Sequence, residues 1–168
     1  MPWFFGAKKT KRELGNEHFK QKDMDAAIMF YSEGLSQLVG SSQAAERATL
    51  LSNRSAAFAS LERWHDALAD ADEAVSLRPD YAKAWARKGK AHLSIKDFPK
   101  AAAAYAKGLE VALKQLDDED QRHTHEIDAV KSQAGGTSDE YKRLLAENAS
   151  LKQQLEDYLL MFDKTKRG

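Results

Sequence analysis

Two pairs of residues are suited by type and spacing to hold a ligand. Arg12 and Asn16 are four residues apart, as are Lys83 and Arg87, and on a helix each pair shares one face. A guanidinium, an ammonium and a carboxamide are all hydrogen-bond donors, two of them charged, and the chemistry open to such a set is the holding of carboxylates. Asn53 is a further amide, able to add a donor without adding repulsion between cations. Groups for bond-breaking chemistry are missing from the sequence. There is no cysteine among the 168 residues, which excludes a thiol nucleophile, a thiolate zinc site and a disulfide framework. Neither a glycine-rich phosphate loop nor a serine elbow occurs. His123 and His125 are two apart, on different sides of a helix, and make poor joint metal ligands. His18 and His92 occupy equivalent positions in a repeat described below, where packing or helix-face exposure explains them better than acid–base work. The expectation is a binding protein, not an enzyme, with no cofactor and no metal.

Composition narrows the kind of partner. With 26 basic and 26 acidic side chains the formal net charge is zero, so no whole-molecule field draws the chain to nucleic acid or an anionic membrane. The short basic runs Lys8-Lys9-Thr10-Lys11-Arg12 and Lys164-Thr165-Lys166-Arg167 are read as solvated chain ends rather than RNA or lipid sites. No apolar stretch reaches transmembrane length, and the opening Trp3-Phe4-Phe5 is too short for a signal-peptide core. That patch is expected to pack on the first helix. Together with the absence of cysteine, these features fit a cytoplasmic protein.

The elements that must position the donor residues come from an internal repeat. Trp64-His65-Asp66-Ala67-Leu68 and Phe98-Pro99-Lys100-Ala101-Ala102 superimpose at an offset of 34 residues, a period of helix-turn-helix repeats. A third copy, Met24-Asp25-Ala26-Ala27-Ile28, precedes the first of these by 40, one period plus an insertion of six. Gly40-Ser41-Ser42-Gln43 is the expected place for that insertion. In each copy a small residue, Ala27, Ala67 or Ala101, lets a second helix lie close to the first. Tyr31, Tyr105, Leu35, Val75 and Leu109 recur at helical spacing as apolar faces. The pattern predicts helices over roughly 8–21, 24–38, 44–61, 64–77, 81–94 and 98–116, with Pro79 marking the joint between the fourth and fifth. Stacked as three antiparallel pairs, they form a short all-α solenoid whose first helices line a concave face.

These positions resemble the tetratricopeptide-repeat family over about residues 8–116, through Trp85, Gly89, Ala101 and Tyr105 in the third copy. Lys11-Arg12-Glu13-Leu14-Gly15-Asn16, Ser52-Asn53-Arg54-Ser55-Ala56-Ala57 and Lys83-Ala84-Trp85-Ala86-Arg87-Lys88-Gly89 narrow the resemblance to the chaperone-organising co-chaperones. In those proteins a two-carboxylate clamp holds the Glu-Glu-Val-Asp terminus of the seventy- and ninety-kilodalton heat-shock chaperones. The resemblance implies a clamp of Arg12, Asn16, Asn53, Lys83 and Arg87, with arginine at position 12 where the family usually has lysine, a planar fork in place of a point charge. Lys11, its neighbour, points elsewhere on a helix. Ala56 and Ala59 leave room for a small apolar side chain such as valine, and Phe19 is placed to wall an apolar pocket farther along. The other reading is a generic repeat scaffold that recognises an internal peptide or a folded partner.

The remainder is expected to fall into a capping helix at 117–134, a glycine hinge at 135–137, a C-terminal helix at 138–163 and a basic tail at 164–168, with residues 1–7 as an N-terminal tail. Thr137 and Glu140 have capping-box spacing. Tyr141, Leu144, Asn148, Leu151, Leu155, Tyr158 and Phe162 alternate steps of three and four, a heptad seam with Asn148 at an a position. The seam favours a coiled-coil homodimer. Leu145, Leu159 and Leu160 widen the apolar face and keep open a helix folded back on its own repeats.

Overall fold

A computed structural model describes residues 9–38, 40 and 43–134, together with Ala146. The tails at 1–7 and 164–168, the hinge and the heptad seam with its homodimer lie outside the described residues, Ala146 apart. Among those described, six helices follow one another: α1 (Lys11–Lys20), α2 (Met24–Gln37), α3 (Ala44–Ser60), α4 (Trp64–Leu77), α5 (Ala82–Ser94) and α6 (Phe98–Ala134). The chain divides into two compact units, one up to Leu109 and one from Glu110 onward. None of the described helices is long and apolar enough to cross a membrane.

In the first unit the repeat sets the packing. α1 lies on α2, α2 on α3, α3 on α4 and α4 on α5, and the first helices of the pairs also touch, α1 with α3 and α3 with α5. Ala27, Ala67, Ala74 and Ala101 are almost wholly buried, as close approach of paired helices requires. Tyr31, Leu35, Leu50, Leu51 and Val75 fill the main core, and Phe58, Ala67 and Ala91 form a second cluster. Where a tyrosine ring crosses to the facing helix, the residue beneath it is glycine. A Cβ on Gly15 would lie within 3.0 Å of three Tyr31 ring atoms, and one on Gly89 would be 2.9 Å from three atoms of Tyr105. In the middle repeat the corresponding residues are Ser55 and Ala71, so a small side chain replaces the ring and leaves space for the hydroxyl. Ser55 Oγ then donates to the Ala67 carbonyl at 2.7 Å.

The first helix opens at Lys11, later than the pattern predicts, because Thr10 and Glu13 form a reciprocal capping box that fixes its start. The six-residue insertion is shared between two places. α3 has 17 residues against 13 in α5, so four of the six lengthen a helix, and only the other two lengthen the linker at 38–43 relative to that at 78–81.

The three turns between paired helices share one geometry without a glycine. Lys22, Glu62 and Lys96 sit at equivalent positions with φ of 63°, 57° and 65°. Around them the amides of Asp23, Arg63 and Asp97 donate to the carbonyls of His18, Phe58 and His92, and those of Lys22, Glu62 and Lys96 to Phe19, Ala59 and Leu93. This is the Schellman closure, in which the left-handed residue is ordinarily glycine. A side chain there costs roughly 1–2 kcal/mol, part of which glycine returns through the entropy of the unfolded chain. Glu62→Gly, on an exposed residue, is therefore expected to stabilise the fold by about 0.5–1 kcal/mol and raise the thermal midpoint by a few degrees. A lowered midpoint by circular dichroism would show that this turn carries no such strain.

His18 and His92, equivalent in the repeat, each direct Nδ1 toward the aspartate that follows the turn, Asp23 at 3.3 Å and Asp97 at 3.7 Å.

In the second unit the helix expected to end near 116 does not end. α6 runs as one helix to Ala134, and no separate capping helix begins at 117. The reason lies in the sequence, since no glycine or proline intervenes between Gly108 and Gly135. The acidic run Asp117-Asp118-Glu119-Asp120 is instead held within the helix. Gln121 donates to the Asp117 carboxylate at 3.1 Å, and Arg122 and Thr124 donate to the carbonyls of Asp118 and Asp120. His123 and His125 turn Nδ1 to the carbonyls one turn back, at 3.0 and 2.7 Å.

Candidate functional site

Because α1, α3 and α5 touch in succession, their facing sides make one wall. Asn16, Asn53 and Arg87 lie on it, one from each helix, around a cavity of about 150 Å3 lined also by Phe19, Lys20, Tyr31 and Ala56. Five of the eight residues expected from the sequence are thus brought together. Arg12 and Lys83 are not in the lining; each lies one helical turn before its partner, Asn16 or Arg87. Arg12 is held toward α3 by Glu46, with Nε 3.3 Å from the carboxylate. Lys83 is exposed, and among the described residues nothing pairs with it. Lys11 pairs with Glu33 and lies over the Phe30 ring, facing α2, as its position on the helix implies. Ala59 does not line the cavity. It packs against the cluster of Phe58, Ala67 and Ala91, because six residues from Asn53 turn it about 120° around α3, away from the wall.

The polar groups form a directed chain. Tyr31 Oη donates to Asn16 Oδ1 at 2.8 Å, and Asn53 Nδ2 donates to the same oxygen at 3.2 Å. Arg87 Nη1 donates to Asn53 Oδ1 at 3.5 Å and also to Ser52 Oγ. Both amide oxygens are therefore occupied from inside the protein. The groups left over are donors: both hydrogens of Asn16 Nδ2, one of Asn53 and the part of the Arg87 fork not engaged by Ser52, Asn53 and Tyr81. A site built this way is complementary to an anion.

Its electrostatics agree. Burial pushes the Arg87 guanidinium below the usual arginine range, with Tyr81 and Tyr31 opposing that shift, and burial pushes the Tyr31 phenol up. No carboxylate among the described residues pairs with Arg87. Arg54, also half-buried, shows the ordinary solution, a two-pronged pair with Asp70 at 2.8 Å on each prong. A partly desolvated guanidinium with no counter-ion is a place where an incoming carboxylate gains most.

Two lining residues, Tyr31 and Lys20, and one residue behind the wall, Ser52, are absent from the set expected from the sequence. Tyr31 was readable from the sequence only as core, and it is 1% exposed, yet its hydroxyl orients Asn16. Ser52 supports Arg87 from a fully buried position. Lys20 had a signal available, since it continues the row Arg12, Asn16 at the next step of four.

No family model matches the sequence. Curated relatives do. The Hsp70-Hsp90 organizing protein of Triticum aestivum is 60% identical over 60 residues, covering 36% of this chain and 10% of the relative. Heat shock protein STI1 of Saccharomyces cerevisiae is 36% identical over 100 residues, covering 60% of this chain and 16% of the relative. Across the curated relatives compared, the chain spans from 10% to 27% of their length. Among solved structures, the first TPR of Spaghetti (RPAP3), bound to the HSP90 peptide SRMEEVD, matches with a TM-score of 0.55 at 31% identity, covering 60% of this chain and 75% of that one. Paired helices at a 34-residue period, the glycine–tyrosine contacts within the pairs and these likenesses agree, and the chain belongs to the tetratricopeptide-repeat co-chaperone family.

Proposed function

We propose that the groove of α1, α3 and α5 binds the free C-terminus of an acidic peptide, the Glu-Glu-Val-Asp tail of the seventy- or ninety-kilodalton heat-shock chaperones, and that the protein acts as an adaptor and not as an enzyme. The observation that carries this reading is the surplus of donors at Asn16, Asn53 and Arg87, with Arg87 half-buried and without a carboxylate partner among the described residues. The terminal carboxylate takes the amide hydrogens of Asn16 and Asn53. A neighbouring acidic side chain meets Arg87 and Lys83, one turn apart on α5, while Arg12 adds positive charge at the other end. Ala56 and Phe19 offer the apolar surface for valine. The likeness to the Hsp70-Hsp90 organizing protein and to a repeat domain bound to an HSP90 peptide supports the same ligand.

A peptide ending in Glu-Glu-Val-Asp with a free carboxylate is expected to bind with a dissociation constant around micromolar, about 8 kcal/mol. Several charge-assisted hydrogen bonds, each about 1.5–3 kcal/mol before ordering costs, account for that scale. Titration calorimetry of the free and C-terminally amidated peptides tests the reading. Amidation should abolish binding. Equal binding of the two forms would falsify the clamp and favour a scaffold that reads an internal segment.

A further inference from the structure

Lys20 stands apart from the other lysines beside a cavity. Elsewhere on the repeat unit a larger cleft is lined by Lys88, Lys100 and Lys107 with Trp85 and His92, but there Lys88 is paired with Asp72 at 2.8 Å and Lys100 with Asp97 at 2.9 Å. Lys20 lines the clamp cavity, is exposed, and among the described residues has neither an ion-pair nor a hydrogen-bond partner. It also completes a row. Arg12, Asn16 and Lys20 follow at steps of four along α1, so the donor amide has a cation one turn to either side.

From this arrangement we infer that Lys20 is a specificity-determining residue of the groove, which reads an acidic side chain at the third or fourth position from the peptide's C-terminus. The inference rests on the reading proposed above. One helical turn from Asn16 to Lys20 advances about 6 Å, and an extended peptide covers about 3.3 Å per residue. With the terminal carboxylate at Asn16 and Asn53, a chain running along α1 toward Phe19 has passed about two residues when it comes level with Lys20, and the flexible four-carbon stem reaches one further. The intervening apolar wall, Phe19 and Ala56, lies where the penultimate valine would pass. The two glutamates of Glu-Glu-Val-Asp are then the side chains within reach of the ammonium. The groove reads a carboxylate end through its amides and Arg87, and charge upstream of it through Lys20.

A double-mutant cycle tests this by calorimetry on the full chain, with the peptides Glu-Glu-Val-Asp and Gln-Gln-Val-Asp, both with free carboxylates. An exposed ion pair contributes up to about 1 kcal/mol, so Lys20→Gln should weaken the first peptide about three- to fivefold. Lys20→Glu, which replaces attraction by repulsion, should weaken it about tenfold. Against the second peptide both losses should shrink to less than about twofold, and the coupling should fall as salt is raised. Equal losses on both peptides, or none on either, overturn the inference while amidation-sensitive binding by the parent leaves the clamp standing. If the parent binds neither peptide, the inference falls with the reading on which it rests.

Discussion

Asp70→Ala is expected to lower the stability of the repeat unit by about 2–3 kcal/mol and its thermal midpoint by roughly 10–20 °C. Asp70 is 6% exposed and accepts both prongs of Arg54 at 2.8 Å, while Arg54 Nη1 also donates to Ser32 at 2.9 Å. One ion pair therefore ties α2, α3 and α4 together. Removing the carboxylate leaves a half-buried guanidinium without its counter-ion, the costly way to break such a pair; partial exposure of Arg54 keeps the loss at the lower end of the range. The pair itself contributes little. Burial pushes the Asp70 carboxyl up, and the Arg54 hydrogen bonds pull it back only in part. A folded-state pKa above the unfolded value means the native state holds that proton more tightly, so acidification through the carboxylate range takes no stability away at this site. Two results follow for thermal melts followed by circular dichroism. Asp70→Ala should melt far below the parent, and the apolar double substitution Arg54→Met with Asp70→Leu should recover most of the loss. A single variant within about 1 kcal/mol of the parent would show that the pair is incidental.

What the sequence made legible was whatever repeats. Ala27, Ala67 and Ala101 mark the pairing of helices because only a small side chain works there, and the steps of four at Arg12/Asn16 and Lys83/Arg87 mark faces because helical period is fixed. Features set by single contacts were not legible. That Tyr31 is both core and hydrogen-bond donor depends on its reaching over Gly15 to Asn16. That Arg12 leans to Glu46 depends on the neighbouring repeat. The boundary expected between 116 and 117 is absent, since side chains one turn on bond back to the acidic run at 117–120 and no glycine or proline interrupts. Ala59 lies six residues from Asn53, about 120° around α3, and so falls beyond a wall that ends at Ala56.

Asn16→Asp is expected to weaken binding of a free-carboxylate Glu-Glu-Val-Asp peptide at least about a hundredfold while leaving the fold intact. Asn16 Oδ1 serves the protein, accepting from Tyr31 and Asn53, and Asn16 Nδ2 is free to serve the ligand. An aspartate keeps the acceptor that the protein uses and loses both donors offered to the ligand, at nearly unchanged volume. It also brings a negative charge against the peptide's own terminus. Like charges about 4 Å apart repel by about 4 kcal/mol at the effective dielectric typical near a protein surface, and half that remaining after solvent screening already exceeds a tenfold effect before the lost hydrogen bonds are included. The hydroxyl of Tyr31 and the amide of Asn53 should hold the carboxylate at least as well as they held the amide, so the thermal midpoint should stay within a few degrees of the parent. Fold and ligand thus make opposite demands on one side chain, and the substitution separates them. Calorimetry beside a thermal melt decides the matter. Binding within about fivefold of the parent, on a protein with an unchanged melt, would mean that the peptide terminus does not sit at Asn16 and that the donors of this groove face something else.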